Sequence, residues 1–368
     1  MVIKSKQNLA IYLYFFSIFL CKGFNMQSDN FIYLAIYLLG LVLVFIKMIN
    51  DKYKLKEIFL ILLFILLGVV IYFYSKNLTP LFFFISLSCL KNVDLKEIIK
   101  IMFYSSLGTF LIMIIFSLVG IIPNNVYLIN RSGNLLARYC FGYSHPNIAH
   151  MQYLIVVVLF FYVYDRMKII MPSVVIFILN YILYKYTGSR TAFYLIDAFL
   201  IYQVFLKNKK PVEIFIKYFS KYSFVLFFIF SLVTASLYNS SIYIQKLDQV
   251  FTGRIWYSKL LLESYTVPLF GRESYGSILF DNSYFYLIYK CGIVFTLLYA
   301  LLMYLLVKYC IKNELKKELF YILFFNIFCL TENVFLSINF NFINLFFAYV
   351  VFSNTKKKIN NDEGDLIE

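Results

Sequence analysis

Long apolar runs alternate along the chain with short polar segments that carry most of its charge. A helix needs about 20 apolar residues to cross a bilayer, and the pattern predicts twelve such helices. They cover approximately residues 8–25, 31–48, 58–75, 78–90, 101–122, 147–164, 169–186, 191–206, 222–238, 284–307, 319–336 and 338–353. The run at 78–90 is short for a crossing, and the last two runs form a tight hairpin. The sequence therefore predicts an all-α, polytopic membrane protein.

Basic residues divide unevenly between the two sides of the predicted membrane. With both termini cytoplasmic, 23 basic residues lie inside and 11 outside, as expected from the excess of positive charge in cytoplasmic loops. All but one of the inside group are lysines, whereas five of the six arginines lie outside: Arg131, Arg138, Arg190, Arg254 and Arg272. Two outer segments are long, at about 123–146 and 239–283. We expect residues 1–355 to form one transmembrane domain and 356–368 a short disordered cytoplasmic tail.

Composition supports a membrane class and excludes several soluble ones. Hydrophobic residues make up 62% of the chain and charged residues only 14%, far from the balance of a soluble domain. The net charge of +15 does not indicate nucleic-acid binding, because the lysines lie between the apolar runs. The six cysteines form no CxxC pair, so neither zinc nor a disulfide framework is predicted. Lys4 and Lys6 precede an apolar run without a small-residue cleavage site, which indicates a first transmembrane helix rather than a removed signal peptide.

The strongest local signal is residues 138–147, Arg-Tyr-Cys-Phe-Gly-Tyr-Ser-His-Pro-Asn, which open the sixth predicted span. Ser144 or His145 can cap this helix, and Pro146 suits its first turn, where no backbone N–H is needed. The outward-facing amino end then offers free N–H groups and the positive end of the helix dipole to an anion. His145 lies at that end, although a role as a cap alone also fits. His150, just over a turn deeper, is a weaker candidate.

A second motif, Tyr-Thr-Gly-Ser-Arg-Thr at residues 186–191, has the same predicted geometry. Gly188 ends one helix, Ser189 can cap the next, and Arg190 projects from another outward-facing amino end. Asp197 follows two turns along the same face, where an ionisable group usually meets a partner or a cavity. A structural ion pair between Arg190 and Asp197 and a functional role for both fit the sequence equally well.

The second long outer segment contains three further polar groups. Arg254 belongs to the run Thr-Gly-Arg at 252–254, Arg272 to Gly-Arg-Glu, and Asp281 and Asn282 to Asp-Asn-Ser. The tryptophan, tyrosine and leucines after Arg254 predict a helix lying flat at the bilayer interface, beside a lipid headgroup. A plain amphipathic surface helix explains the same residues.

One carboxylate, Glu332, lies near the outer end of the eleventh predicted span. A charge there is costly unless it is paired or functional, and pairing with an outer arginine and a role as a base both fit. The sequence has no DxD-type acid pair, HExxH, P-loop or GxGxxG, so we expect neither a metal nor a cofactor. Arginine, which grips phosphate through two parallel hydrogen bonds, is then left to neutralise any departing pyrophosphate.

These motifs resemble, in order, those of the Wzy-type polysaccharide polymerases of Gram-positive capsule and exopolysaccharide clusters, relatives of the O-antigen ligases. The resemblance covers roughly residues 130–345 and is carried by Arg138…Phe-Gly-Tyr-Ser-His-Pro-Asn147, Thr-Gly-Ser-Arg-Thr, Thr-Gly-Arg, Asp-Asn-Ser and Thr-Glu. It implies a metal-independent glycosyltransferase that joins repeat units carried on undecaprenyl pyrophosphate at the outer face of the plasma membrane. It also implies lipid-linked oligosaccharides, membrane lipid, a flippase and a chain-length regulator as partners, and no nucleic acid.

The expected site residues divide by role. The catalytic set is His145, Arg190, Arg254 and Glu332. The substrate-binding set is Arg138, Asn147, Ser189, Arg272, Asp281 and Asn282. The arginines are expected to hold the pyrophosphate as it departs, and the histidine or the glutamate to take the proton of the acceptor hydroxyl.

Two alternative functions stay open. A lipid-linked oligosaccharide flippase or a polysaccharide exporter suits twelve spans, but transporters place charges near the membrane midplane between repeats. The charges of this chain lie at the outer ends of the spans, and no internal repeat is visible. An O-antigen-ligase-like transferase is favoured less, because those enzymes keep a histidine in the long outer loop and residues 239–283 contain none.

Overall fold

A computed structural model describes residues 2–26, 30–51, 53–131, 134–165 and 167–352, with only the backbone of residues 2–7, 131 and 134. The predicted tail at 356–368 and the inside arginine Arg166 lie outside the described residues. The described chain is mostly helical.

Most helices overlap the predicted spans, although several bounds differ: α9 begins before the predicted 222 and α14 ends before the predicted 336. The first eight are α1 Val2–Gly23, α2 Phe31–Asn50, α3 Leu55–Ser75, α4 Thr79–Ser88, α5 Leu95–Leu118, α6 Pro146–Val163, α7 Ile170–Thr187 and α8 Arg190–Ile201. They are followed by α9 Lys210–Ser236, α10 Ile242–Phe251, α11 Arg254–Ser264, α12 Ser283–Tyr286, α13 Gly292–Lys312, α14 Lys316–Phe328 and α15 Ala348–Val351. Single π-helical turns at Tyr202–Leu206 and Leu287–Cys291 follow α8 and α12, and a 3₁₀ segment at Phe342–Phe347 precedes α15.

Within the described ranges, seven helices are long and apolar enough to cross a membrane. They are Phe31–Asn50, Leu55–Ser75, Leu95–Leu118, Pro146–Val163, Ile170–Thr187, Lys210–Ser236 and the continuous Ser283–Lys312. A membrane-protein class is therefore supported, but twelve full crossings are not confirmed. At several other predicted positions the helix is too short to cross, as in α4 with 10 residues and α14 with 13. The sidedness of the termini stays a prediction.

The chain divides into two compact units. Unit 1 comprises Met1–Leu39 and Asp94–Val212, and unit 2 comprises Gly40–Val93 and Glu213–Glu368. In unit 1, α5 packs against α1 and α6, and α8 packs against α6 and α7. In unit 2, α3 packs against α4, and α13 packs against α14 and α15. The single transmembrane domain predicted over residues 1–355 stays a prediction.

The first long outer segment contains a β-hairpin rather than a plain loop. Strand β1, Val126–Arg131, pairs antiparallel with β2, Asn134–Tyr139. The all-α prediction is therefore wrong at this point. The run Val-Tyr-Leu-Ile joins β-branched and aromatic residues, which favour a strand, and a segment this short has too few turns to form a stable helix.

The second long outer segment contains α10 and α11. Helix α11 coincides with the predicted interfacial helix and leaves Trp256 40% exposed, so one aromatic face is open. Its position relative to a bilayer stays a prediction.

Two lysines that the charge pattern assigns to loops are buried in unit 2. Lys91 has no exposed surface; its Nζ lies 2.5 Å from Glu57 Oε2 and over the ring of Tyr53. Lys47 donates to the Lys91 carbonyl and lies 3.5 Å from Asp51. The opposite charges neutralise one another, which a buried charge requires. These lysines are therefore part of the packed interior, and not solvated loop charges.

Two glycines of unit 2 allow the effect of steric collision to be measured apart from that of backbone strain. Gly271 has a φ of +86°, and a Cβ there would collide with the Lys290 carbonyl, whereas Gly253 has a φ of +87° and open space. We expect Gly253→Ala to cost about 1–2 kcal/mol of stability through the left-handed backbone alone. Gly271→Ala should cost about 1–3 kcal/mol more through overpacking. Thermal unfolding in detergent measures both, and equal losses would contradict the close approach at Gly271.

Candidate functional site

In unit 1, Arg138 joins the first two sequence motifs. It lies on β2, and its Nε donates to the Thr187 carbonyl at 2.6 Å. Its Nη2 donates to Oδ1 of Asn147, in the first turn of α6. The arginine thus connects the hairpin, the amino end of α6 and the carboxyl end of α7. Both motifs were predicted from the sequence as candidate sites, but the contact of Arg138 with both of them was not.

The turn between α7 and α8 brings its backbone close to Arg138. Gly188 ends α7 with a φ of +58°, and a Cβ there would lie 3.2 Å from Arg138 Nε. Ser189 occupies the N-cap position of α8, as predicted, but its hydroxyl makes no capping hydrogen bond. That part of the prediction is wrong, and Ser189 itself is buried, 2% exposed. Arg190 is the first residue of α8 and is half-buried.

His145 caps α6 through its ring. Nδ1 accepts the N–H of Asn147 at 3.2 Å, and Pro146 is the first helical residue, so both predictions are confirmed. The ring also lies beside Tyr127, with centroids 5.3 Å apart. Because Nδ1 is an acceptor, the proton of the neutral ring is on Nε2. Taking a substrate proton at Nδ1 would break the cap, which favours an anchoring role for His145.

His150 is fully buried in a polar network that the sequence did not predict. Its Nε2 lies 2.8 Å from Asn180 Oδ1, and its Nδ1 lies 3.0 Å from Thr187 Oγ1. The Asn180 amide donates to Asp197 Oδ1 at 2.8 Å and to the Phe193 carbonyl at 3.1 Å. With both amide protons directed at acceptors, Oδ1 faces the histidine, so His150 Nε2 carries a proton. The network connects α6, α7 and α8.

Asn180 gives Asp197 a neutral partner. The sequence left open whether Asp197 pairs with Arg190 or acts in function, and the amide of Asn180 is the contact that the structure provides. The sequence signal for this contact was a lone amide inside the apolar helix α7. Polar side chains of membrane helices commonly form hydrogen bonds to neighbouring helices.

Loss of the Asn180 amide should destabilise unit 1 measurably. In Asn180→Leu, the fully buried His150 Nε2 loses its partner, which costs about 1–3 kcal/mol, and the half-buried Asp197 carboxylate loses the amide that it accepts from. The matched control is Ser173→Ala on the same helix, because the Ser173 hydroxyl only returns to the Ile169 carbonyl. Thermal unfolding compares the two. Equal midpoints would show that the network carries no net stability.

In unit 2, Arg254 is 5% exposed and surrounded by acceptors. Its Nε donates to the Thr331 carbonyl, and Nη1 donates to the Phe251 carbonyl at 3.1 Å and to the Thr252 hydroxyl. Its Nη2 donates to Glu332 Oε1 at 2.6 Å. The structure thereby joins the Thr-Gly-Arg motif to the Thr-Glu motif. The interpretation that Glu332 pairs with an arginine is confirmed, and the outer location of this arginine stays a prediction.

Two aspartates complete the surroundings of Arg254. Asp281 Oδ2 lies 3.9 Å from Arg254 Nε, with its side chain 40% exposed, so it is the solvent-facing acid of this centre. Asp248 was missed in the sequence. It is buried, and its Oδ1 accepts the N–H of Ile255 at 2.8 Å, which fixes the first turn of α11.

Asn282 and Ser283 bind protein groups. Asn282 caps α12 by accepting the Tyr284 N–H at 2.9 Å, and its amide donates to Ser231 Oγ at 3.1 Å. The Ser283 hydroxyl donates to the Glu332 carbonyl at 2.6 Å. The Asp-Asn-Ser motif therefore holds the turn that carries Glu332, and the predicted substrate contact by Asn282 stays a prediction.

Glu332 lies in the turn after α14, outside the helices able to cross a membrane. Burial raises its pKa to about 7; Arg254 opposes this rise and Asp281 adds to it. Its Oε1 receives Arg254, whereas Oε2 has no hydrogen-bond partner among the described residues. A carboxylate with a pKa near neutrality and one unoccupied oxygen can accept a proton.

The other outer arginines are placed differently. Arg272 is exposed, with its guanidinium carbon 5.6 Å from the centre of the Tyr265 ring. The side chain of Arg131 lies outside the described residues. The substrate-binding role of Arg272 stays a prediction. Its exposure makes the guanidinium accessible, and the contact with the Tyr265 ring restricts its position.

Within the described ranges, no three His, Cys, Asp or Glu side chains are placed to hold a metal ion. All six cysteines are buried and free. Comparison of the chain with protein-family models, curated proteins and solved structures finds no match.

Proposed function

We propose that this protein is a polysaccharide polymerase of the Wzy type, which transfers a growing chain from its lipid pyrophosphate to a new lipid-linked repeat unit. The main support is that Arg254 joins two of the motifs that carry the resemblance. The guanidinium holds Glu332 at 2.6 Å in a buried turn, and Glu332 Oε2 has no hydrogen-bond partner in the part of the chain that the structure describes. A base held by a buried cation suits a metal-free transfer of a sugar to a hydroxyl.

In the proposed reaction, the acceptor hydroxyl oxygen attacks the anomeric carbon of the donor sugar. The bond from that carbon to the pyrophosphate oxygen breaks, and its electron pair leaves with undecaprenyl pyrophosphate. The hydroxyl proton passes to Glu332 Oε2. Charge on the leaving group is stabilised by arginine, and this kind of electrostatic stabilisation is often the largest single contribution to catalysis.

The contacts of Arg254 refine its role. Four of its five N–H bonds point at described protein acceptors, so it holds the base more than it grips substrate. Arg190, at the amino end of α8, and Arg138, beside the amino end of α6, are the proposed anion-binding residues within unit 1. Helix amino ends favour phosphate through their free N–H groups and dipole.

The direct test uses purified protein in lipid nanodiscs with synthetic undecaprenyl-pyrophosphate-linked repeat units. The proposal expects a ladder of longer lipid-linked products together with free undecaprenyl pyrophosphate, without added metal or nucleotide sugar. Movement of the lipid-linked unit between leaflets of proteoliposomes, with no new glycosidic bond, would instead establish the flippase alternative. Transfer of the chain to a lipid A-type acceptor would establish the ligase alternative.

A further inference from the structure

The β-hairpin at 126–139 has two faces of different character. Residues directly opposite each other in an antiparallel pair share a face, and Tyr127 is opposite Arg138. This inner face is fixed by the Arg138 contacts and by the Tyr127 hydroxyl, which donates to the Ser144 carbonyl at 3.2 Å. The outer face carries Val126 and Leu128.

The outer face is mostly apolar, although exposed Asn130 also lies on it. It is more open than the inner face, where Tyr127 is 43% exposed and Leu136 40%. Val126 is 46% exposed, Leu128 64% and Leu135, opposite Asn130, 70%. Ala137, opposite Leu128, is also exposed. Clustered apolar residues on an exposed face indicate an interaction surface.

The hairpin follows α5, a candidate membrane-crossing helix, after a short linker. The carboxyl end of α5 and this linker are themselves apolar and open: Ile115 is 53% exposed, Leu118 66% and Ile121, after the helix ends, 65%. The Cys140 N–H donates to the Asn125 carbonyl at 3.1 Å, which closes the base of the hairpin where the linker ends. Because the linker is short, the hairpin lies within reach of the lipid that surrounds this end of α5.

We propose that the outer face of the hairpin inserts into the membrane at the end of α5, as a shallow interfacial anchor. Its depth is limited by the backbone, because a two-stranded sheet has two free edges and open edges do not occur in the hydrocarbon core. The hairpin must therefore lie where water and headgroups can satisfy those edges. Tyrosines such as Tyr127 and Tyr139 are typical of this zone.

The anchor has a consequence for Arg138. Insertion of the outer face places the inner face, with Arg138, beside the lipid headgroups. This inference rests on exposure, strand register and the short linker to α5, so it holds whether or not the protein is a polymerase.

The test is fluorescence quenching by lipids brominated at defined depths. The only tryptophan, Trp256, is first replaced by phenylalanine, and the full chain is reconstituted in phosphatidylcholine vesicles. We expect Leu128→Trp to be quenched about twofold more strongly than Ile129→Trp, its neighbour on the inner face, with the strongest effect from bromines near the headgroup. Leu135→Trp, on the paired strand, provides a second probe should Leu128→Trp fail to fold.

Three results would overturn the proposal. They are equal quenching of the Leu128→Trp and Ile129→Trp proteins, strongest quenching by bromines deep in the chains, and blue-shifted emission without bromine quenching. The last result would show that another protein surface, such as a second copy of the chain, covers the outer face of the hairpin.

Discussion

Replacing Glu332 with glutamine should lower the rate of polymer growth by about 10²–10⁴-fold, the usual contribution of a general base. Glutamine has the same shape, and its carbonyl oxygen can still accept the hydrogen bond that Arg254 donates at 2.6 Å. The variant therefore removes the proton acceptor with little loss of the contact. The measurement is the rate of product elongation by purified protein in nanodiscs.

The pH profile distinguishes catalysis from structure. Burial raises the pKa of Glu332 to about 7, so the ionised fraction, and with it the rate, should fall about tenfold per pH unit below that value. The stability should change in the opposite direction. The native state binds this proton more tightly than the unfolded state, whose carboxyl titrates near 4.5. The contribution to stability is thus full below pH 4.5 and is lost as the pH rises through 7.

Glu332→Gln should remove both pH dependences. The matched control is Glu263→Gln in the same unit, because Glu263 is a half-exposed acid paired with Lys259 on the surface of α11. The control should keep the wild-type rate and profile. An unchanged acidic limb in Glu332→Gln would exclude Glu332 as the base while leaving the polymerase assignment open to another base.

Arg254→Lys should reduce elongation by about 10²-fold or more, because it removes the guanidinium that positions the proposed base, whose usual contribution is about 10²–10⁴-fold. Lysine has three donors on a single nitrogen and cannot reproduce the planar fork that reaches Thr331, Phe251 and Glu332. The change should also lower stability, since each acceptor left unsatisfied in a buried site costs about 1–3 kcal/mol. Elongation is therefore measured per folded protein, quantified by size-exclusion chromatography.

Lys246→Met controls for the loss of a basic residue, because Lys246 is exposed on α10. It should keep both rate and stability. A folded Arg254→Lys protein with a wild-type rate would contradict the arrangement proposed for the Arg254–Glu332 pair.

The long helices could be predicted from the sequence because each follows an apolar run. α3 and α7 match their predicted bounds within a few residues. The His145 cap and the Gly188 helix end were also predictable, since both depend on residues next to one another in the chain. The hairpin was missed because its apolar residues were assigned to a loop between spans.

The remaining features depend on tertiary contacts. Arg138 and Thr187 are 49 positions apart, and Arg254 and Glu332 are 78 apart, so no local pattern indicates that they meet. Asn180 is a single amide in an apolar helix. Its partners lie on two other helices, so the sequence did not indicate them. Lys91 was misassigned because a charge count does not distinguish a solvated lysine from one buried against Glu57.

The two imidazoles of this protein lie five residues apart at the amino end of α6. Labelling with ¹⁵N-histidine therefore gives a magnetic resonance spectrum that reports on this one turn, without site-specific assignment of a 368-residue membrane protein. Both rings should show the proton on Nε2, since His145 Nδ1 accepts the Asn147 N–H and His150 Nε2 faces the Asn180 oxygen. Titration with a pyrophosphate lipid would then show whether an anion reaches α6, from two signals recorded in the intact chain.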